Sequence, residues 1–298
     1  MRTHPPRARG RLAAGMTILA AAAASLVACG GNGPEQPSEA HNSADPGMGH
    51  VHGVGVDPAD GAVYVAAHHG VFRIINPTRA DQVAGRVQDT MGFTIVGPRM
   101  FLASGHPAAA DIGPGVPPHL GLIRSTDAGK TWSSVSEAGK ADFHALQPAG
   151  KVLYAYDSQT AKVRHSRDDG RTWTLGAPME VVDLAAHQGE PERVYATTPQ
   201  GLRVSEDSGA GFKPVAGAPV LTHLDSPDSE TLVGVAPDGR IQVSRSGGNW
   251  EQRGRVPGGQ ATAFAVVDER RLLVVTDDGT VHESRDGGRT FTTAYRNN

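Results

Sequence analysis

Histidine and aspartate recur in this 298-residue chain at places where other reactive side chains are scarce. His50 and His52 flank a valine, and His68 and His69 stand side by side. His106 opens a Pro- and Gly-rich stretch that His119 closes, and Asp142 and His144 flank a phenylalanine. Asp89 comes two residues before Met91-Gly92-Phe93. Imidazole and carboxylate are donors that zinc and copper accept readily. The same groups hydrogen-bond sugar hydroxyls and move protons near neutral pH. We expect His50, His52, His68, His69, His106 and His144 to form a ligand-binding group. His52, His69, His106 and His144 are its metal-ligating candidates, for a divalent ion such as zinc or copper. Asp89 and Asp142 could instead serve as the acid and base, or nucleophile, of a glycosidase if their separation suits. An ordinary polar lining is the remaining reading of the same residues. His165, His187, His223 and His282 are expected to be solvated or bonded to backbone.

These residues need a scaffold, and the scaffold is written as a repeat. Ser-x-Asp-x-Gly-x-Thr-Trp occurs cleanly at Ser125–Trp132 and Ser166–Trp173, and at Ser284–Phe291 with another aromatic at its end. Two worn copies begin at Ser205 and Ser244. The serines recur about every forty residues, a period that belongs to a solenoid or a propeller. Between copies, short apolar runs alternate with turn residues, four runs to a repeat, which is the content of one propeller blade. Val51–Val56, Ala62–Ala66 and Gly70–Ile74 form an upstream unit without the motif, with a fourth strand expected at Val83–Val87. The expected architecture is therefore all-β: a six-bladed β-propeller of four-stranded antiparallel blades. Its closure is expected to rest on packing between blades 1 and 6, without strand exchange.

The motif falls on the turn from the third strand to the fourth. Asp and Ser side chains there can bond nearby backbone, the Gly allows positive φ, and the aromatic fills the gap between sheets. On this arithmetic Asp127, Asp168, Asp207 and Asp286 are structural. The histidine-bearing loops lie on the opposite face, around the start of the innermost strands of blades 1 to 3. Asp183 holds the equivalent place in blade 4.

The turn resembles the Asp box, or BNR repeat, of sialidase-type propellers. His52-Gly53, His68-His69-Gly70, Met91-Gly92-Phe93, Ser104-Gly105-His106-Pro107 and Asp142-Phe143-His144 together resemble a group of bacterial secreted BNR-repeat lipoproteins. The resemblance covers residues 50 to about 298. It implies a glycosyl-hydrolase or exo-sialidase-like label, which follows the structural boxes and so carries fold better than activity. Sialidases grip a carboxylate with three arginines. Arg73, Arg124 and Arg203 align with one another as third-strand positions, and Tyr64, Tyr154 and Tyr195 as second-strand positions. Neither set looks like a sialidase constellation.

The N-terminus reads as an export signal. Arg2, Arg7, Arg9 and Arg11 precede an Ala-rich apolar stretch and Leu26-Val27-Ala28-Cys29, which resembles a bacterial lipobox. Residues 1–28 are then a signal peptide, Cys29 the lipidated residue, 29–48 a flexible tether and 49–298 the propeller. Acyl chains would hold the protein on the outer face of the cytoplasmic membrane without spanning it. Cys29 is the only cysteine, so no intrachain disulfide forms. The chain has 28 basic and 31 acidic residues. Cleavage after residue 28 would remove four arginines and no acid, leaving 24 against 31, a net charge of −7. That balance argues against nucleic acid as a partner. A glycan or an envelope protein is the expected alternative to a metal.

Overall fold

The computed structural model describes residues 47–245 and 248–297. The signal, Cys29 and nearly all of the tether lie outside the described residues, as does part of the worn motif that begins at Ser244. The described strands form six four-stranded antiparallel sheets, each built of consecutive strands. Blade 1 contains β1 (Val51–Val56), β2 (Val63–Ala67), β3 (Gly70–Asn76) and β4 (Arg79–Gln82). Blade 2 contains β5 (Asp89–Gly97), β6 (Met100–His106), β7 (Leu122–Ser125) and β8 (Ser133–Ser136). Blade 3 contains β9 (Phe143–Ala149), β10 (Val152–Asp157), β11 (Lys162–Ser166) and β12 (Thr174–Pro178). Blade 4 runs from β13 (Asp183–Ala186) through β14 (Val194–Thr198) and β15 (Gly201–Ser205) to the two-residue β16 (Lys213–Pro214). Blade 5 contains β17 (His223–Asp225), β18 (Thr231–Val235), β19 (Arg240–Arg245) and β20 (Trp250–Arg255). Blade 6 contains β21 (Ala261–Val266), β22 (Leu272–Thr276), β23 (Val281–Ser284) and β24 (Thr292–Tyr295).

The first strands touch in ring order, β1 to β5 to β9 to β13 to β17 to β21 and back to β1. The second strands carry the most apolar runs, because both of their faces meet neighbouring blades. β2, β10 and β22 are buried throughout. The core is therefore a set of inter-blade seams rather than one centre. Trp132 packs in the seam between blades 1 and 2, and Trp173 in that between blades 2 and 3. Phe212, Trp250 and Phe291 do the same for the next three seams. The seam that closes the ring sets Val51, Val65 and Phe72 of blade 1 against Leu273, Val281 and Tyr295 of blade 6. The backbone N–H of Arg296 also donates to the Pro77 carbonyl at 2.9 Å. No strand is exchanged among the described residues.

The motif turns are stapled by their own side chains. The Ser166 hydroxyl donates to Asp168 Oδ1 at 2.8 Å and accepts from the Gly170 N–H at 2.9 Å. Asp168 Oδ1 also accepts from the Thr172 N–H at 2.9 Å, and Oδ2 from the Thr172 hydroxyl at 2.7 Å. The turns at Ser125 and Ser284 repeat these bonds. In the worn copy at Ser205 the Gly211 N–H takes the place of threonine, at 2.9 Å from Asp207 Oδ1. These bonds hold Asp127, Asp168 and Asp286 down to about 2, and Asp207 below the usual carboxylate range. Each turn needs two left-handed residues, such as Asp169 (φ 59°) followed by Gly170 (φ 81°).

One strand differs from expectation. The fourth strand of blade 1 is β4 at Arg79–Gln82, not Val83–Val87. Asn76 Oδ1 accepts from the Thr78 N–H at 3.0 Å, so the chain turns back immediately after Asn76. Val83 is then free to bury itself in the seam with blade 2 through a short 3-10 turn, Val83–Gly85.

Candidate functional site

The first strands enclose a central channel of about 760 Å³. Its lining includes His50, His52, Met91, His144, Asp183, His187, His223 and Asp225, and no Lys or Arg among the described residues. The motif turns lie at the opposite end from the histidine mouth, since the Ala128 N–H bonds the Arg99 carbonyl in the turn between β5 and β6.

Local irregularity aims the ligands. In the pairing of β1 with β2, Val51 faces Ala67 and Gly53 faces Ala66, so His52 is an extra residue in a bulge. In β9 the same slip isolates His144 between Phe143 and Ala145. Bulges bend a strand and re-aim the extra side chain. Gly105 lets β6 approach β5 closely: its φ is +137°, and a Cβ there would lie 2.0 Å from the Asp89 carbonyl. That approach sets Asp89 opposite His106 in the ladder. Asp142 is held by its backbone. Its N–H donates to Asp157 Oδ1 at 3.1 Å, and its carbonyl accepts from the Ser158 N–H at 3.0 Å.

The result is a continuous cluster on blades 1 to 3. The rings of His52 and His68 lie 4.8 Å apart, those of His50 and His52 4.9 Å, and those of His106 and His119 5.3 Å. Asp89 Oδ1 faces His52 Nε2 at 3.6 Å and His68 Nε2 at 4.0 Å. Its Oδ2 accepts from His106 Nδ1 at 3.1 Å. Asp142 Oδ2 accepts from His144 Nε2 and from the Ser158 hydroxyl, both at 3.0 Å. His106 Nε2 lies 3.6 Å from the same oxygen, and His119 Nδ1 3.9 Å.

Burial drives the His52 imidazole down to about 4, with His50, His68 and His144 adding to the fall and Asp89 opposing it. His52 is therefore neutral at pH 7 and keeps a lone pair for a ligand. Burial alone would raise Asp142. The His144 hydrogen bond, the charges of His144 and His106 and the Ser158 hydroxyl outweigh it and hold the carboxyl below its ordinary value. It stays ionised, an acceptor and ligand rather than a proton donor. Four buried side-chain atoms in this cluster have no hydrogen-bond partner: His52 Nε2, Asp89 Oδ1, His119 Nδ1 and Asp142 Oδ1. Buried polar atoms are almost always paired, so four orphans on these clustered side chains mark a region built for something else to enter.

The expected residues are sorted by the fold. His52, His68, His106 and His144 converge with Asp89 and Asp142, and His50 stands at the exposed edge against His52 and His68. His69 does not join them. Its Nδ1 bonds the Gly47 carbonyl at 2.9 Å, because neighbouring residues in the tight β2–β3 turn project in different directions. The two donor groups, His52 with His68 and Asp89, and His106 with His119 and Asp142, thus hold His68 rather than His69, and His119 rather than His144, whose Nε2 is already bonded to Asp142. His119, expected on the rim but not among the ligands, is brought in when the insertion closes. The Leu120 N–H bonds the Gly105 carbonyl at 2.8 Å, which returns the loop to its starting point. The only sequence signal for His119 was its place at the end of that loop.

Blades 4 to 6 treat their polar residues differently. Asp183 Oδ2 accepts from the Leu224 N–H at 3.0 Å, and Asp225 Oδ2 from the Val266 N–H at 2.8 Å, so each ties its first strand to the next blade. Burial pushes Asp183 up to about 7 and raises Asp225. His223 bonds the Thr222 hydroxyl at 3.1 Å. Arg73 lies away from the channel, paired with Asp60 at 2.8 Å.

No family model and no curated protein matches the chain. Solved structures resemble it in fold. A gluconolactonase of Xanthomonas campestris superposes with a TM-score of 0.60 at 14% identity, over 78% of this chain and 84% of that one. YCF48 bound to a D1 peptide gives 0.51 at 14% identity, over 83% and 82%. A GH74 enzyme of Niastella koreensis gives 0.55 at 17% identity, over 83% of this chain and 45% of the enzyme. The chain therefore spans less than half of that hydrolase. At such identities the likeness is one of fold alone.

Proposed function

We propose that this chain is an exported, lipid-anchored propeller of the Asp-box type that binds a divalent transition metal, zinc or copper, at the mouth of blades 1 to 3. The observation that carries the reading is the gathering of imidazole and carboxylate donors, His52 and His68 with Asp89 and His106 and His119 with Asp142, in which four buried side-chain atoms have no hydrogen-bond partner. Imidazole and carboxylate together suit zinc or copper, whereas a calcium or magnesium site is built of oxygen alone. Neutral His52 supports it, because a metal binds the deprotonated ring. The lipobox-like Leu26-Val27-Ala28-Cys29 supports anchoring outside the membrane.

Glycoside hydrolysis by Asp89 and Asp142 fits the geometry less well. Both carboxylates are engaged by imidazoles, and an acid with a raised pKa, which such catalysis needs, is not what surrounds Asp142. Among the described residues no arginine lines the channel, which is not the lining an anionic sugar needs. The test is metal analysis of the purified chain, with a glycoside panel alongside. Bound zinc or copper near stoichiometry, with no turnover, is the expected result. Turnover that Asp89→Asn or Asp142→Asn abolishes, without bound metal, would replace this reading by hydrolysis.

A further inference from the structure

We infer that the mouth holds two metal ions in separate sites, linked through the imidazole of His106. The inference rests on the metal-binding reading above and adds the number, the ligands and the coupling of the ions.

The donors do not form one group. His52, His68 and Asp89 place one donor atom each within 4.8 Å of one another, and His106, His119 and Asp142 do so separately. The nitrogen–oxygen gaps inside the groups run from 3.6 to 4.0 Å. Such gaps are too long for hydrogen bonds. Donors about 2.0–2.1 Å from a tetrahedral ion stand about 3.3 Å apart, so a small contraction around a cation closes each group. Each group also contributes one orphaned nitrogen and one orphaned oxygen: His52 Nε2 and Asp89 Oδ1, which face each other, and His119 Nδ1 and Asp142 Oδ1, with His106 and His119 facing the other Asp142 oxygen, Oδ2. The Asp142 side chain is only 5% exposed, so water does not satisfy it freely.

His106 separates the two sites and joins them. Its Nδ1 donates to Asp89 Oδ2 at 3.1 Å, because a carboxylate accepts only. The opposite ring nitrogen, Nε2, faces Asp142 Oδ2 at 3.6 Å. Asp89 therefore has two duties. Oδ1 is a ligand of the first ion, and Oδ2 orients a ligand of the second, as carboxylates do for metal-bound histidines. Asp142 has no matching role toward the first site. The coupling is one-sided: loss of Asp89 reaches both sites, and loss of His119 reaches one.

The experiment is titration of the chelator-stripped full chain in detergent with Zn²⁺, read by calorimetry and native mass spectrometry. The unaltered chain takes two ions. His68→Ala and His119→Ala each take one, and the double variant takes none. Asp89→Asn loses the first ion and binds the second about 10–100-fold more weakly. Unchanged thermal unfolding of the stripped variants shows that the half-exposed histidines were not needed for folding. One ion bound by the unaltered chain, and none by either single variant, would overturn the two-site inference and leave the metal reading standing. Full affinity for the second ion in Asp89→Asn would overturn the link through His106. No binding by the unaltered chain, or two ions retained by the double variant, would overturn both the inference and the reading on which it rests.

Discussion

Two ends of the same ring use the same carboxyl chemistry to opposite effect. At the motif turns, each oxygen of Asp168 is matched by donors from within six residues, Ser166 and Thr172. At the mouth, Asp89 Oδ1 and Asp142 Oδ1 are buried and unmatched, and imidazoles of blade 1 face Asp89 Oδ1 while His106 and His119 of blade 2 face the Asp142 carboxylate. A carboxylate whose partners are local holds a hairpin. A carboxylate with one buried oxygen left unmatched among imidazoles from other segments holds a place for a cation. Among the described residues, the two carboxylates with a buried, unpartnered oxygen both lie at the mouth.

The comparison makes satisfied carboxylates matter for stability and orphaned ones for binding. The largest effect falls on Asp157. Its side chain is fully buried, accepts from the Asp142 N–H, the Gln159 N–H, the Thr160 hydroxyl and Arg164, and so supports the mouth from behind. Asp157→Ala removes four hydrogen bonds and leaves the buried Arg164 with Glu137 as its remaining ion-pair partner, and is expected to cost about 3 kcal/mol or more, measured by urea unfolding. A cost below about 1 kcal/mol, the scale of an exposed pair, would break the distinction.

The mouth comes next. Excess Zn²⁺, at a hundred times its dissociation constant, is expected to stabilise the unaltered chain by about 2.7 kcal/mol per ion. That is a rise in melting temperature of about 5–10 °C. His52→Ala removes an orphaned nitrogen, so it should halve this rise while leaving the metal-free melting temperature nearly unchanged. A large metal-free loss would place His52 among the structural residues.

The smallest effect belongs to a single turn. Ser166→Ala strips the Gly170 N–H of its acceptor and is expected to cost about 1–3 kcal/mol. Its neighbour Asp168 sharpens the point through pH. The folded carboxyl titrates at about 2, below its ordinary value of 3.8. The unfolded chain therefore takes up the proton first as pH falls. The stabilisation is complete above about pH 4 and fades as pH drops toward 2. The gap in melting temperature between the unaltered chain and Asp168→Asn should be flat from pH 5 to 8 and close in acid. A gap that instead opened in acid would mean that the carboxyl is not held ionised by the turn.

Much of this was legible in the chain. The forty-residue period gave the blade count, and the Ser-x-Asp-x-Gly turns gave the staples, because each uses only residues near in sequence. The aromatics that end the motifs all lie in inter-blade seams, as an apolar plate at that position must. The short β4 was misplaced because Val83 serves the neighbouring seam, and a seam is not a local feature.

The sequence by itself determined a ring of six repeats and a crowd of imidazoles around one of its mouths, since strand period and turn chemistry act over a few residues. Only the tertiary structure decided which of those imidazoles meet. It chose His68 over His69, drew in His119, and set His106 between Asp89 and Asp142. The reason is geometric. The six donors span residues 52 to 142 on three blades, and their convergence depends on two bulges, a loop closure and the angle between sheets, none of which any single repeat contains.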